Sequence, residues 1–263
     1  MLGSARGEEA ADLASVAIGA VVEGIKGDDL SVVAGYFRCF HLILSTIKGA
    51  EARAVIKRAA PAVFNRALDL LSSTATAEQT SAALFLLTSL AGKKDVLLLP
   101  PRSISLILAL SSLRLPSSPS LFAPLAGLIE SLLRHYPKSV YGCLPSLVAT
   151  LLTMLSSLLE HPEAAGVVLR CVQLSRVLES LGNHKDAFKK HTTGLLLCLF
   201  SPPPSSLHPP PSVRLALRPG TLTLLSLAGP AERGAVDRGL EGGERNAYRE
   251  MVKASGEGKF KGN

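Results

Sequence analysis

The sequence predicts an all-α protein built from stacked helical hairpins, and three observations predict it. Aromatic residues are only 5% of the 263 positions and Trp is absent, so helices packed through aliphatic ridges are favoured over sheets rich in aromatic and β-branched side chains. Apolar residues recur at spacings of three and four along successive segments. Short breaker signals separate those segments at lengths of about 12 to 20 residues. A hydrophobic content of 47% can bury a sizeable core, in one large domain or two small ones, which excludes disorder throughout.

From Glu8 to about Asn183 the breakers are Gly27-Asp28-Asp29, Lys48-Gly49, Ser72 to Thr76, Gly92 to Lys94, Pro100-Pro101, Pro116 to Pro119, Tyr136-Pro137, His161-Pro162 and Gly182-Asn183. In the second helix Val32, Val33, Tyr36, Phe37, Phe40, Leu44 and Ile47 form one stripe, with Arg38, His41 and Lys48 elsewhere. The next segment, Ala52 to Leu71, repeats this logic with Val55, Ile56, Ala59, Val63, Ala67, Leu70 and Leu71 inward. Pairs of about 40 residues point to an irregular HEAT- or armadillo-like α-solenoid, with a helical bundle as the alternative architecture. No fixed-period consensus runs through the pairs.

Residues 201–212 break the pattern, holding six of the 17 prolines. Proline removes backbone donors and favours extended conformation, so an exposed, disordered loop is expected. A tolerated insertion is preferred over a PxxP-type ligand there. Beyond it, Thr221 to Ala228 reads as a short helix after an Arg218-Pro219-Gly220 turn. Pro230 opens another helix through Leu240, and a last one runs from Glu244 to about Ala254. Gly234 and Gly239 each weaken the middle helix by about 1 kcal/mol relative to Ala, so docking must stabilise it. The chain thus divides into a helical-hairpin array at 1–200, the Pro-rich loop at 201–212, and short helices with a basic end at 213–263 that dock on the array.

The formal charge of +7 is uneven. Residues 1 to 183 hold 16 Lys and Arg against 14 Asp and Glu, whereas residues 184 to 263 hold 12 against 7. A positive face attracts phosphate backbones or acidic proteins, although a solvated face is the simpler reading. Cys39, Cys143, Cys171 and Cys198 lie far apart without a Cys-x-x-Cys pair, which predicts free, buried thiols in a reducing compartment. The segment Met1 to Asp12 is acidic and lacks the basic-then-apolar pattern of a secretory signal. Ser139 to Leu159 runs 21 residues without a charge, long enough to span a membrane. Its Gly142, Pro145 and several Ser and Thr favour a helix buried by its neighbours instead.

No phosphate loop, nucleophile elbow or His-Glu-x-x-His motif is present, and no strand pattern could carry one. The expectation is a protein that is not an enzyme and needs no cofactor. His184 and His191 stand seven residues apart, too far to share one metal ion without other ligands. In the stretch from His184 to His191, Asn183 can cap a helix, Asp186 complements its positive end, and Phe188 packs inward with Leu195. Lys185, Lys189, Lys190 and His191 then make a compact positive spot able to touch phosphate or an acidic helix. At the far end Lys259, Phe260 and Lys261 can contact nucleic acid by charge and stacking, or Phe260 can plug an apolar groove on the same domain. The plug is preferred, because a lone exposed Phe gains little.

The Phe188-Lys189-Lys190-His191 element, Arg218-Pro219-Gly220, the Glu244-Arg245-Asn246-Ala247-Tyr248 helix start and the Gly258-Lys259-Phe260-Lys261-Gly262 stretch together resemble the C-terminal domain of nucleolar pre-ribosome-associated scaffolds of the Urb/Npa type. The resemblance covers roughly Val167 to Asn263. It implies a nucleolar role in early large-subunit precursor and rRNA maturation, without catalysis. The partners it implies are other assembly factors, including a partner scaffold and a DEAD-box helicase, with pre-rRNA contact an open alternative to a protein-only role. Interaction candidates carried by it are Phe188, Lys189, Lys190, His191, Arg218, Pro219, Gly220, Tyr248, Lys259, Phe260 and Lys261. The competing reading is a generic α-solenoid adaptor for an acidic or amphipathic peptide.

Overall fold

The stripe of Val33, Phe37, Phe40 and Leu44 becomes the buried face of helix α2 (Leu30–Thr46), as its spacing of three and four requires. A computed structural model describes residues 15–27, 29–46, 50–201 and 209–255. Among these residues every regular element is helical. They fall into two units, one of Met1–Ser111 with Ser118–Ser139, the other of Ser112–Ser117 with Val140–Asn263.

In the first unit α1 (residues 15–25) precedes α2, followed by α3 (Ala50–Ser72), α4 (Ala77–Ala91), α5 (Pro101–Arg114) and α6 (Phe122–His135). α4 packs against α2, α3 and α6, so it buries Ala82, Ala83, Leu84, Leu86, Leu87, Leu90 and Ala91 around most of its circumference. A capping box starts it. Thr76 Oγ1 accepts from the Gln79 N–H at 3.3 Å and the Thr76 N–H donates to Gln79 Oε1 at 2.8 Å, satisfying two donors that a helix start otherwise leaves open. Arg66 of α3 reaches back to the end of α1, donating to Ile25 O at 3.2 Å and Gly27 O at 2.6 Å. A guanidinium there satisfies carbonyls left without intrahelical partners. Cys39 is exposed, which corrects the expectation of burial: it lies between Phe37 and Phe40 but off their stripe.

In the second unit the elements are α8 (Leu144–Glu160), α9 (Val167–Ser180), α10 (Lys185–Phe188), α11 (Thr192–Phe200), α12 (Pro211–Leu227), α13 (Pro230–Gly239) and α14 (Gly242–Ala254). The five-residue α7 (Pro137–Tyr141) spans the boundary between the units. α9 lies along α12, and α11 touches α8, α12, α13 and α14. The uncharged stretch at 139–159 therefore contributes α8, whose Leu147, Leu151, Met154, Leu155 and Leu158 are buried within the unit. No helix among the described residues is long and apolar enough to cross a membrane.

Two local expectations are corrected. Arg218-Pro219-Gly220 is not a turn before a helix but lies inside α12, which begins ten residues earlier than Thr221 at Pro211. Pro210 and Pro211 cost nothing there, because the first N–H groups of a helix have no intrahelical acceptor. His184 to His191 is not one helix: a 3-10 turn at Leu181–His184, the single turn of α10 and a second 3-10 turn at Lys189–His191 precede α11. Asn183 lies inside the first of these turns and no side-chain cap forms at His184. α13 and α14 lie where the sequence places them, to within two residues. The breaker at Lys48-Gly49 and the Pro-rich residues 202–208 lie outside the described residues.

Candidate interaction surface

Phe188 anchors the basic element. Its side chain is 1% exposed, as is that of Leu195, and its ring lies 6.5 Å from His184, whose ring meets Tyr141 edge-on at 5.8 Å. Burial pushes His184 below its ordinary pKa of 6.5. His184 Nδ1 and the Tyr141 hydroxyl share a hydrogen bond of 2.8 Å. With His184 neutral, the positive charge of this surface belongs to lysines.

Lys185, Lys189 and Lys190 are exposed around the buried Phe188, and His191 is half-buried at the start of α11. Lys189 differs from its neighbours. A Cβ built on Gly229 would stand 2.7 Å from Lys189 Cε, 3.2 Å from Lys189 Nζ and 2.6 Å from Glu232 Oε2. The Lys189 side chain and the Glu232 carboxylate therefore both approach Gly229, which leaves them room.

The Arg218-Pro219-Gly220 residues do different work from one another. Arg218 and Pro219 are exposed, whereas Gly220 is buried against α9. A Cβ at Gly220 would meet Leu178 Cβ at 2.9 Å and the Ser175 backbone at 3.0 Å, so the helices approach more closely than any other residue would allow. Pro219 lacks an N–H and crowds the preceding turn. Beside it the Gly220 N–H donates to Ser175 Oγ at 2.8 Å, and Ser175 in turn donates to Glu179 Oε1 at 3.3 Å.

Tyr248 fixes α14. It is 2% exposed, packs edge-on against Phe200 at 5.3 Å and 82°, and donates its hydroxyl to Arg233 O at 3.3 Å. Burial pushes its phenol up. Arg245 Nε donates to Asp237 O at 2.9 Å. Arg249 meets the Asp237 carboxylate through two bonds of 2.7 and 2.8 Å, which holds that carboxyl below its ordinary range. Gly239 at the end of α13 sits over Leu197, where a Cβ would come within 2.9 Å of Cδ2. The glycine that weakens α13 as an isolated helix thus lies in the contact of α13 with α11.

The structure brings Lys185, Phe188, Lys189, Lys190 and His191 together, joins Gly220 to α9, and buries Tyr248 under α11 and α13. Lys259, Phe260 and Lys261 lie outside the described residues. Sequence reasoning missed Ser175 and the Asp237 cluster. A lone Ser among Cys171, Leu174 and Leu178 was the signal for the first; nothing in the local pattern pairs Asp237 with Arg249. The thiols at Cys143, Cys171 and Cys198 are all pushed up by burial, Cys171 to about 11, which disfavours the nucleophilic thiolate. No group of three or more His, Cys, Asp or Glu among the described residues is placed to hold a metal.

The model of the Urb2/Npa2 family matches residues 81–263, more than half of the chain. No curated protein matches the sequence. Among solved structures, an engineered protein from a structural genomics consortium aligns with a TM-score of 0.55 at 12% identity, covering 92% of this chain and 99% of that one. A designed armadillo repeat protein gives 0.51 at 10% identity, covering 89% and 98%. Another, in complex with the peptide (KR)4, gives 0.52 at 10% identity, covering 90% and 97%. At such identities the likeness shows fold alone, and that fold is the predicted all-α stack of helical hairpins of the armadillo kind.

Proposed function

Because the chain belongs to the Urb2/Npa2 family, a family of ribosome biogenesis, we propose that it is a non-catalytic scaffold module acting in the nucleolus on early large-subunit precursors. The observation that carries this reading is the family match over residues 81–263, which takes in every helix from α8 to α14. In this reading the lysines around Phe188 form the contact surface. They are exposed while the ring beneath them is buried, so the ring anchors the backbone that carries the charge. A partner scaffold, a DEAD-box helicase and pre-rRNA are the proposed neighbours, and phosphate or acidic side chains are what such a surface attracts.

A designed armadillo protein holds a peptide of alternating Lys and Arg. This chain is itself positive, +7 overall, which favours an acidic or phosphate-bearing partner over a basic peptide. The test is to tag the chain in cells and sequence the RNA and identify the proteins that co-purify. Enrichment of large-subunit precursor RNA and assembly factors, with a nucleolar signal, is expected. Recovery of no pre-ribosomal component, with a diffuse cytosolic signal, overturns the proposal.

A further inference from the structure

The second unit carries a groove of about 800 Å³ that the surface around Phe188 leaves unused. α12 and α14 each pack on α11, and the groove opens between them, with Leu199 and Phe200 of α11 in its apolar lining. Its two walls carry opposite charge. α12 contributes Arg214 and Arg218, with Leu215 67% exposed between them, and α14 contributes Glu244 and Glu250. A concave apolar surface with an exposed leucine has the character of a site that something covers.

We propose that a second copy of this chain covers the groove, in a two-fold dimer whose axis runs along it. Charge selects this occupant. A uniformly acidic or phosphate-bearing partner satisfies the α12 wall and opposes the α14 wall, and a uniformly basic one does the reverse. A second copy brings both signs at the spacing the groove itself has.

The same charges fix the orientation of the pair. A two-fold axis along the groove lays each α12 over the partner's α14, so Arg214 and Arg218 face the partner's Glu244 and Glu250 on both flanks. An axis across the groove sets arginine over arginine and glutamate over glutamate, which like-charge repulsion disfavours. Length agrees with the first arrangement. The α12 lining runs from Pro211 to Thr221 and the α14 lining from Gly243 to Ala254, spans of about 15 Å and about 17 Å for helices rising about 1.5 Å per residue. The two walls therefore match end to end, and each exposed Leu215 is removed from water by the other copy, which supplies the apolar gain.

Sedimentation velocity of the full chain over about 1 to 100 µM, where modest interfaces associate, is expected to show a reversible monomer–dimer equilibrium. Arg214→Glu with Arg218→Glu makes both walls acidic, and Glu244→Arg with Glu250→Arg makes both basic. In either homodimer every flank then pairs like charges, and the dissociation constant is expected to rise at least about tenfold. Mixing the two variants in equal amounts is expected to bring the dimer back, because both flanks of the heterodimer pair opposite charges. Glu244 lies in the first turn of α14, where a cation weakens a helix, so Glu250→Arg alone replaces the pair if the urea midpoint falls. A wild-type chain that stays monomeric throughout overturns the proposal. So does a dimer that survives either variant, which would place the interface elsewhere, or one lost in both and not regained on mixing, which would show that the walls do not meet across copies.

Discussion

The Gly220 N–H donates a 2.8 Å hydrogen bond to Ser175 Oγ across the seam of α9 and α12. This bond ties the Arg218-Pro219-Gly220 residues to the helix seam of the second unit. Gly220→Ala places a methyl within about 3 Å of Leu178 Cβ and of Ser175 backbone atoms, neither of which is the yielding end of a flexible side chain. Overpacking of that kind costs about 1–3 kcal/mol. The better helix propensity of Ala returns about 1 kcal/mol, so the net change is a destabilisation of up to about 2 kcal/mol in urea unfolding. A raised midpoint would show that the seam is not closed as described.

Ser175→Ala removes the acceptor at the other end of the same bond. Ser175 is 2% exposed, so water does not readily replace the hydroxyl, and a loss of about 1–2 kcal/mol is expected. The two substitutions share one contact and will not add. A double variant whose loss equals the sum of the single losses would contradict the bond.

The helical class and most helix boundaries were legible because period and punctuation are local properties. Val33, Phe37, Phe40 and Leu44 declare their face without reference to any other helix, and Thr76 with Gln79 spells its own capping box. The role of Gly220 was not legible in that way. A Pro-Gly pair reads locally as a turn, and only Ser175, 45 residues away, makes it a close crossing inside a helix. The Phe188 anchor was readable from sequence, whereas the approach of Lys189 and Glu232 to Gly229 depends on how α13 folds back.

Tyr248 separates packing from hydrogen bonding. Tyr248→Phe keeps the edge-on contact with Phe200 and loses a hydroxyl bond of 3.3 Å, so a cost below about 1 kcal/mol is expected. Tyr248→Ala removes the ring and costs about 3–4 kcal/mol, with faster amide exchange confined at first to α14. Equal effects from the two variants would mean that the hydroxyl, not the ring, holds the helix.

Charge reversal at the basic element is expected to discriminate between adjacent lysines. Lys190→Glu, at an exposed site, changes stability by less than about 0.5 kcal/mol. Lys189→Glu brings a carboxylate toward Glu232 over Gly229 and costs more, through like-charge repulsion that added salt relieves. Chemical unfolding of each variant at low and high salt measures the difference. A Lys189 variant as stable as the Lys190 variant at low salt would remove Glu232 from the account.

The histidines set the pH dependence of stability. Burial depresses both His135 and His184 below 6.5, and Arg134 and Lys94 depress His135 further. A group with a lowered folded-state pKa binds fewer protons in the native state than in the unfolded chain below pH 6.5. Its contribution is fully present above pH 6.5 and is lost as pH falls through the folded-state value. Protonating His184 also makes Nδ1 a donor, so its 2.8 Å bond with the Tyr141 hydroxyl then requires that hydroxyl to accept. Asp237 behaves with the same sign at lower pH, because Arg249 holds it below 3.8. Unfolding free energy is therefore expected to hold level from pH 7.5 to 6.5 and to decline from 6.5 toward 5. His184→Gln, which cannot titrate, should make that decline shallower while leaving the His135 share in place. A profile that rises on acidification would reverse the assigned sign and place a stabilising acidic partner beside one of the two rings.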